Sequence, residues 1–220
     1  MPVNKTQKKT VKAKGIFIVV DGGEGSGKST LMKAAATAFP KAVLTREPGG
    51  TPYAEEIRNL ILGDSAKEAD DNTLFSLFWA ARAEHMKTKI KPALTKGKLV
   101  ISDRFDCTTY AYQIAGRKQY QLENLFFDVR EHFLGTFTPD LYIFLDLDPK
   151  VGMDRKRKGN AEWNHLDKRK IDFYKNVRKG YKKLATKVPA VFIDASRRLE
   201  DVQDEFIKIV KNVISSKNDR

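Results

Sequence analysis

The chain has a single cysteine, Cys107, in 220 residues. That excludes an internal disulfide framework and makes a reducing, cytoplasmic setting the expected one. No apolar run approaches the roughly 18 residues needed to cross a bilayer, so no membrane partner is expected. Residues 1–14 are polar and lysine-rich, without the apolar segment a secretory leader requires. Internal repeats and low-complexity linkers are also missing from 16–214. The economical expectation is one domain over 16–214, with a basic N-terminal tail at 1–15 and a short C-terminal tail at 215–220.

Acidic residues are scarce in two places, and these account for the net charge of +13. Residues 1–15 hold five lysines and no acid; residues 150–187 hold 14 Lys or Arg against four acids. The two blocks carry +5 and +10, which leaves the rest of the chain near neutral at −2. The tail reads as solvated and disordered. The second block reads either as a solvated helix face or as a surface for a polyphosphate. With the excess confined in this way and no basic groove interleaved with aromatics, a nucleic-acid partner is not expected.

What is present is a set of short apolar runs alternating with helical patterns. Strands are expected at 16–20, 42–44, 99–102, 141–147 and 191–193. Helices are expected near 28–39, 53–62, 73–90, 106–115, 119–134, across much of 150–185 and at 199–214. Apolar strands alternating with helices predict an α/β fold with a parallel sheet covered on both faces.

Gly22-Gly23-Glu24-Gly25-Ser26-Gly27-Lys28-Ser29 fits G-x-x-x-x-G-K-[ST] between an expected strand and an expected helix, the context a phosphate loop requires. Glycines let the backbone turn its N–H groups toward a phosphate, and the helix N-terminus adds a favourable dipole. Residues 22–30, including Thr30, are the expected ATP site, with Lys28 on the phosphates and the Ser29 hydroxyl on Mg²⁺. Asp103 closes an apolar strand, where an unpaired carboxylate is costly. It reads as a carboxylate serving Mg²⁺ through water, or as a helix N-cap. Arg46 and Arg104 stand at strand ends, where ligands gather in open α/β sheets, and could clamp a second phosphate. No guanine-reading Asn-Lys-x-Asp segment follows a strand, which argues against a GTPase switch.

Further segments carry a family resemblance. The phosphate loop, Arg46-Glu47-Pro48-Gly49-Gly50-Thr51-Pro52, Phe78-Trp79-Ala80-Ala81-Arg82-Ala83-Glu84-His85 and Asp103-Arg104-Phe105 occur in an order that resembles thymidylate kinases. So do Ala111-Tyr112-Gln113 and Pro139-Asp140-Leu141 leading to Leu145-Asp146-Leu147-Asp148-Pro149. The resemblance covers about 16–210. It implies the P-loop nucleoside monophosphate kinase fold, a five-stranded parallel sheet flanked by helices, with a mobile lid at about 150–168. It also implies phosphoryl transfer from ATP to dTMP with Mg²⁺, and a homodimer.

For individual residues, the resemblance implies that Phe78 stacks on thymine and Arg82 contacts its O4. Alone, Phe78 would read as core. Thr108 and Thr109 fall near the base edge, Tyr112 beside the sugar's 2′ position, and Glu24 and Pro48 among the substrate contacts. The variable loop positions, Gly23 to Ser26, hold no arginine, which resembles the bacterial subtype that draws a catalytic arginine from the lid. Arg155 and Arg157 are the candidates, with Lys156 and Lys158 tuning the field. The chain departs from the usual acidic stretch at Asn164-His165-Leu166-Asp167. Two alternatives stay open at this level: a broad deoxynucleoside monophosphate kinase and a nucleic-acid-binding P-loop ATPase.

Overall fold

A computed structural model describes residues 15–159 and 169–218. Its centre is a five-stranded parallel sheet of β1 (Ile16–Gly22), β2 (Val43–Arg46), β3 (Leu99–Asp103), β4 (Leu141–Asp146) and β5 (Ala190–Asp194), in the order β2-β3-β1-β4-β5. The registers Val20↔Asp103 and Arg46↔Asp103 bring the carboxyl ends of the first three strands level, so their terminal side chains share one rim.

β1 is buried along its whole length, as an apolar run without alternation requires. Its side chains divide by parity. Phe17 and Val19 enter one core layer with Trp79, Tyr110 and Phe126; Ile18 and Val20 enter the other with Leu31, Phe206 and Val210. Each fully buried side chain of this size contributes about 1.5–3 kcal/mol of hydrophobic stabilisation.

The second layer is covered by α1 (Lys28–Ala38) and α9 (Leu199–Asn218). The final helix runs four residues into the segment expected as a C-terminal tail. Over the first layer lie α3 (Asp71–His85), α4 (Lys91–Thr95), α6 (Glu123–Leu134) and α8 (Ile171–Leu184). α2 (Pro52–Leu62) packs on α3 through Ala54, Ile57 and Ile61 against Phe78 and Ala81. α3 is N-capped by Asp70, whose carboxylate accepts from the Asn72 and Thr73 amides.

The basic stretch expected as one helical region is two helices, α7 (Pro149–Lys158) and α8. Residues 160–168, which complete the expected lid and include Asn164 to Asp167, lie outside the described residues, as do 1–14 of the N-terminal tail. α5 (Asp106–Thr108) leads into a π-helical segment, Thr109–Gly116, that carries several candidate site residues. No helix among the described residues is long and apolar enough to cross a membrane.

Candidate functional site

The loop between β1 and α1 ends at Gly27, whose φ of 95° is left-handed, and α1 starts at Lys28. The Lys28 ammonium donates to the Gly22 and Gly23 carbonyls at 3.1 and 2.9 Å, and Ser26 Oγ donates to the Gly23 carbonyl at 2.8 Å. Burial lowers the Lys28 pKa, helped by Arg104 and opposed by Glu24, Asp21 and Asp103. Ser29, Thr30, Lys33 and Asp103 join the loop in lining an open cleft, together with Arg155 and Lys156.

Asp103 Oδ1 is buried without a hydrogen-bond partner. Burial raises its pKa, against the pull of Lys28 and Arg104. Among the described residues no three His, Cys, Asp or Glu side chains gather as a metal cluster. A carboxylate that shares its cleft with Ser29 suits Mg²⁺, which keeps several waters and takes much of its coordination from substrate phosphates.

Glu24 is the electrostatic hub. It accepts from Arg104 Nη2 at 2.9 Å, the Tyr112 hydroxyl at 2.8 Å and Lys156 Nζ at 3.0 Å. Burial pushes its pKa up, but Arg104, Lys28 and Lys156 outweigh that and hold the carboxyl far below the usual range. Beneath it, fully buried Asp21 accepts from the Gly22 amide, Tyr181, Cys107, Thr108 and Arg104. These contacts tie the phosphate loop to α8 and to α5. Burial opposes the Arg104 charge, yet Tyr112, Glu24 and Asp21 keep its pKa well above the ordinary value. Arg104 has a φ of 69°, a left-handed conformation that is uncommon outside glycine. It also lies over the Tyr112 ring at 5.3 Å.

A second cleft of about 170 Å³ adjoins the first and is lined by Pro48, Phe78, Arg104, Thr108 and Tyr112, as expected, and also by Arg58, Gln113 and Phe173. Arg82, one turn after Phe78 on α3, is 1% exposed. Its Nε donates to Glu47 Oε2 at 2.9 Å and Nη2 to Thr109 Oγ1 at 3.2 Å. The guanidinium lies over Trp79 at 4.5 Å and Phe105 at 5.2 Å. Arg82 Nη1 and Gln113 Oε1 are both buried without a partner.

Two expected residues, Arg46 and Arg157, are placed elsewhere, and Arg82 and Thr109 are not among the side chains that line the acceptor cleft. Arg46 does not line the acceptor cleft; strand alternation turns Thr45 and Glu47 toward α3, while Arg46 pairs with Glu55 at 3.0 Å and donates from Nη1 to the Pro48 carbonyl at 3.2 Å. Arg58 of α2 stands in the cleft instead, donating to the Pro48 carbonyl at 2.8 Å. Arg157 is exposed on α7 and paired with Asp154 at 3.2 Å. Arg155 lines the first cleft and donates to the Ala195 carbonyl at 2.8 Å. The Thr108 hydroxyl is committed to Asp21, so of the two threonines it is Thr109 that meets Arg82.

Sequence reasoning missed Arg58, Gln113, Glu47, His85 and Asp21 as parts of the site. Arg58 carried a usable signal: on α2 it falls ten residues after Pro48, on the turn following Glu55, which caps the Gly50 amide. The buried acids carried none, because burial and partners are properties of the fold.

Two comparisons bear on this arrangement. The thymidylate kinase family profile matches residues 20–206. Curated relatives named thymidylate kinase include one from Hahella chejuensis, 40% identical over 196 residues, covering 86% of this chain and 93% of the relative. Another, from Shouchella clausii, is 36% identical over 217 residues, covering 94% of this chain and 99% of the relative. A third, from Bacillus licheniformis, is 39% identical over 207 residues. With a phosphate loop joined to a second, arginine-lined cleft, and matches that span nearly the whole chain, this protein belongs to the thymidylate kinase family of ATP-dependent phosphotransferases.

Proposed function

We propose that this chain transfers the γ-phosphoryl group of ATP to dTMP, with the donor over residues 22–30 and the acceptor in the cleft of Phe78, Arg104 and Tyr112. The observation that carries the acceptor is Arg82. A guanidinium only donates, and its buried Nη1 has no partner in the protein. A ring acceptor placed against it, such as the O4 of thymine or uracil, would satisfy that donor. Cytosine puts an amino group there, leaving two donors face to face. Gln113 Oε1 supplies the complementary acceptor for N3–H.

Arg58 and Arg104 are the clamp for the acceptor's phosphate, since both line its cleft. Phe78 supplies the stacking face, and the Tyr112–Glu24 pair crowds the sugar. Lys28 neutralises donor phosphates, and Arg155 faces the same polyphosphate channel. Mg²⁺ would be held by Ser29 and, through water, by Asp103, where it would neutralise phosphate charge. The acceptor oxygen attacks γ-phosphorus directly. It is already an anionic nucleophile, so the protein's task is positioning and charge neutralisation. The homodimer implied by the resemblance also belongs to this proposal. Exposed apolar side chains available to a partner include Tyr53 and Leu60 on α2.

An ADP-release assay with dTMP, dUMP, dCMP, dGMP, dAMP and thymidine as separate acceptors tests the reading. Strong preference for dTMP is expected, with dCMP rejected. Comparable rates across the monophosphates would instead make this a broad deoxynucleoside monophosphate kinase. ATP turnover that requires DNA or RNA would remove the kinase reading.

A further inference from the structure

We infer that Lys156, a lysine and not one of the neighbouring arginines, is the catalytic cation that α7 brings to the transferred phosphoryl group. The inference rests on the two-cleft reading above. Of the described residues, Glu24, Arg104 and Lys156 line both the donor cleft and the acceptor cleft. The attacking oxygen and the γ-phosphorus must meet where the clefts join, so those three side chains border the reacting atoms. Glu24 is anionic and Arg104 belongs to the acceptor clamp. Lys156 is the remaining cation.

Its position follows from how α7 is seated. At Gly152 an added Cβ would stand 2.2 Å from the Glu24 carbonyl oxygen, and at Gly25 one would stand 2.0 Å from the Gly152 carbonyl oxygen. The first turn of α7 therefore lies backbone against backbone on the phosphate loop. Residue 156 is four positions on from Gly152 and shares its face, so its side chain projects over that same loop. The Lys156 side chain is 10% exposed and its ammonium sits 3.0 Å from Glu24 Oε2. Arg157, one step round the helix, is 67% exposed and points away, paired with Asp154. Arg155 is on the donor side, anchored to the Ala195 carbonyl.

In the transfer, a bond forms between the acceptor phosphate oxygen and γ-phosphorus. The bond from γ-phosphorus to the bridging oxygen breaks, and its electron pair ends on the β-phosphate of ADP. Lys156 neither gives nor takes a proton. Its charge offsets that of the equatorial oxygens during transfer, and Glu24 positions the ammonium beforehand.

The test is steady-state and single-turnover kinetics of the full chain carrying Lys156→Ala, Lys156→Gln or Lys156→Arg, with Kd values for ATP and dTMP measured alongside. Gln keeps the packing without the charge, so it decides the matter if the alanine variant fails to fold. The expected result is a kcat and single-turnover loss of about 100-fold or more in Ala and Gln. Both Kd values should stay within about threefold, and Arg should restore part of the rate. A kcat within about threefold of the parent overturns the inference. So does a loss confined to KM and Kd, because that would make Lys156 a binding residue only. Activity of the unaltered chain on dTMP is read in the same experiment. Its absence would sink the kinase reading itself, and its presence with active Lys156→Gln would sink this inference alone.

Discussion

Glu47 and Arg82 form an ion pair with both side chains almost wholly buried, Nε to Oε2 at 2.9 Å. Glu47 spends its other oxygen on His85 Nδ1 at 3.0 Å, and His85 Nε2 meets Thr45 Oγ1 at 2.7 Å. The run Thr45–His85–Glu47–Arg82 thus fixes a guanidinium that lies over Trp79 and still has the N–H groups of Nη1 to spend. Geometry of this kind matters more for selectivity than for net stability, since a buried pair roughly repays its own desolvation.

Removing one partner is a different matter, because the other is left as an uncompensated buried charge. Glu47→Gln should destabilise the chain by about 3–5 kcal/mol in denaturant unfolding. It should also erode the preference for dTMP over dCMP, since Arg82 loses the contact that aims it. A variant as stable and as selective as the parent would show that Arg82 is held by its aromatic neighbours alone.

Arg58→Ala should raise the dTMP KM about 10- to 150-fold, the range for losing a charge-assisted hydrogen bond of about 1.5–3 kcal/mol. The ATP KM should hardly move, because Arg58 lines only the acceptor cleft. Arg46→Ala, which removes a partly exposed pair with Glu55, should have the smaller effect on dTMP. The reverse order would return the clamp to Arg46.

The contrast between these two arginines shows what was legible in the sequence. Strand positions, the phosphate loop and the carboxyl-end rim all follow from apolar runs and a glycine motif, which are local in sequence. Arg46 and Arg58 are equally arginine-like; the choice between them depends on which way a four-residue strand points and on how α2 packs over it. The same holds for Arg157 and Lys156. Helical phase separates them, and that phase is set by Gly152 resting on the loop, a contact between residues more than a hundred apart. Glu24 was readable as a contact but not as a hub, because its partners come from three other segments.

Asp103 should set the acid limb of activity. Burial raises its pKa above the ordinary aspartate value of 3.8, so the carboxylate that would serve Mg²⁺ forms only above a higher pH than an exposed aspartate needs. For a raised group the sign of the linkage is fixed. Its contribution to stability is full below the unfolded value and is lost as pH rises through the folded one. Stability and activity should therefore run in opposite directions across that interval. In Asp103→Asn the acid limb of kcat/KM for MgATP and the matching slope in stability should both disappear, and a retained limb would assign it to another group.

Gly152→Ala sets two effects of unlike size against each other. Glycine inside a helix costs about 1 kcal/mol relative to alanine, so propensity alone predicts a more stable α7. The new Cβ, however, would lie 2.2 Å from the Glu24 carbonyl oxygen, a backbone atom in a loop that cannot swing aside like a long side chain. The clash should prevail and lift α7 from the phosphate loop, carrying Lys156 and Arg155 with it. A displacement of about 1 Å at a reacting centre can cost about 100-fold in rate. The expected outcome is kcat/KM lowered at least about tenfold on both substrates, with helix content by circular dichroism unchanged. A Gly152→Ala enzyme with a raised Tm and parental kinetics would mean that α7 does not rest on the loop during turnover, and that its cations reach the phosphates by another path.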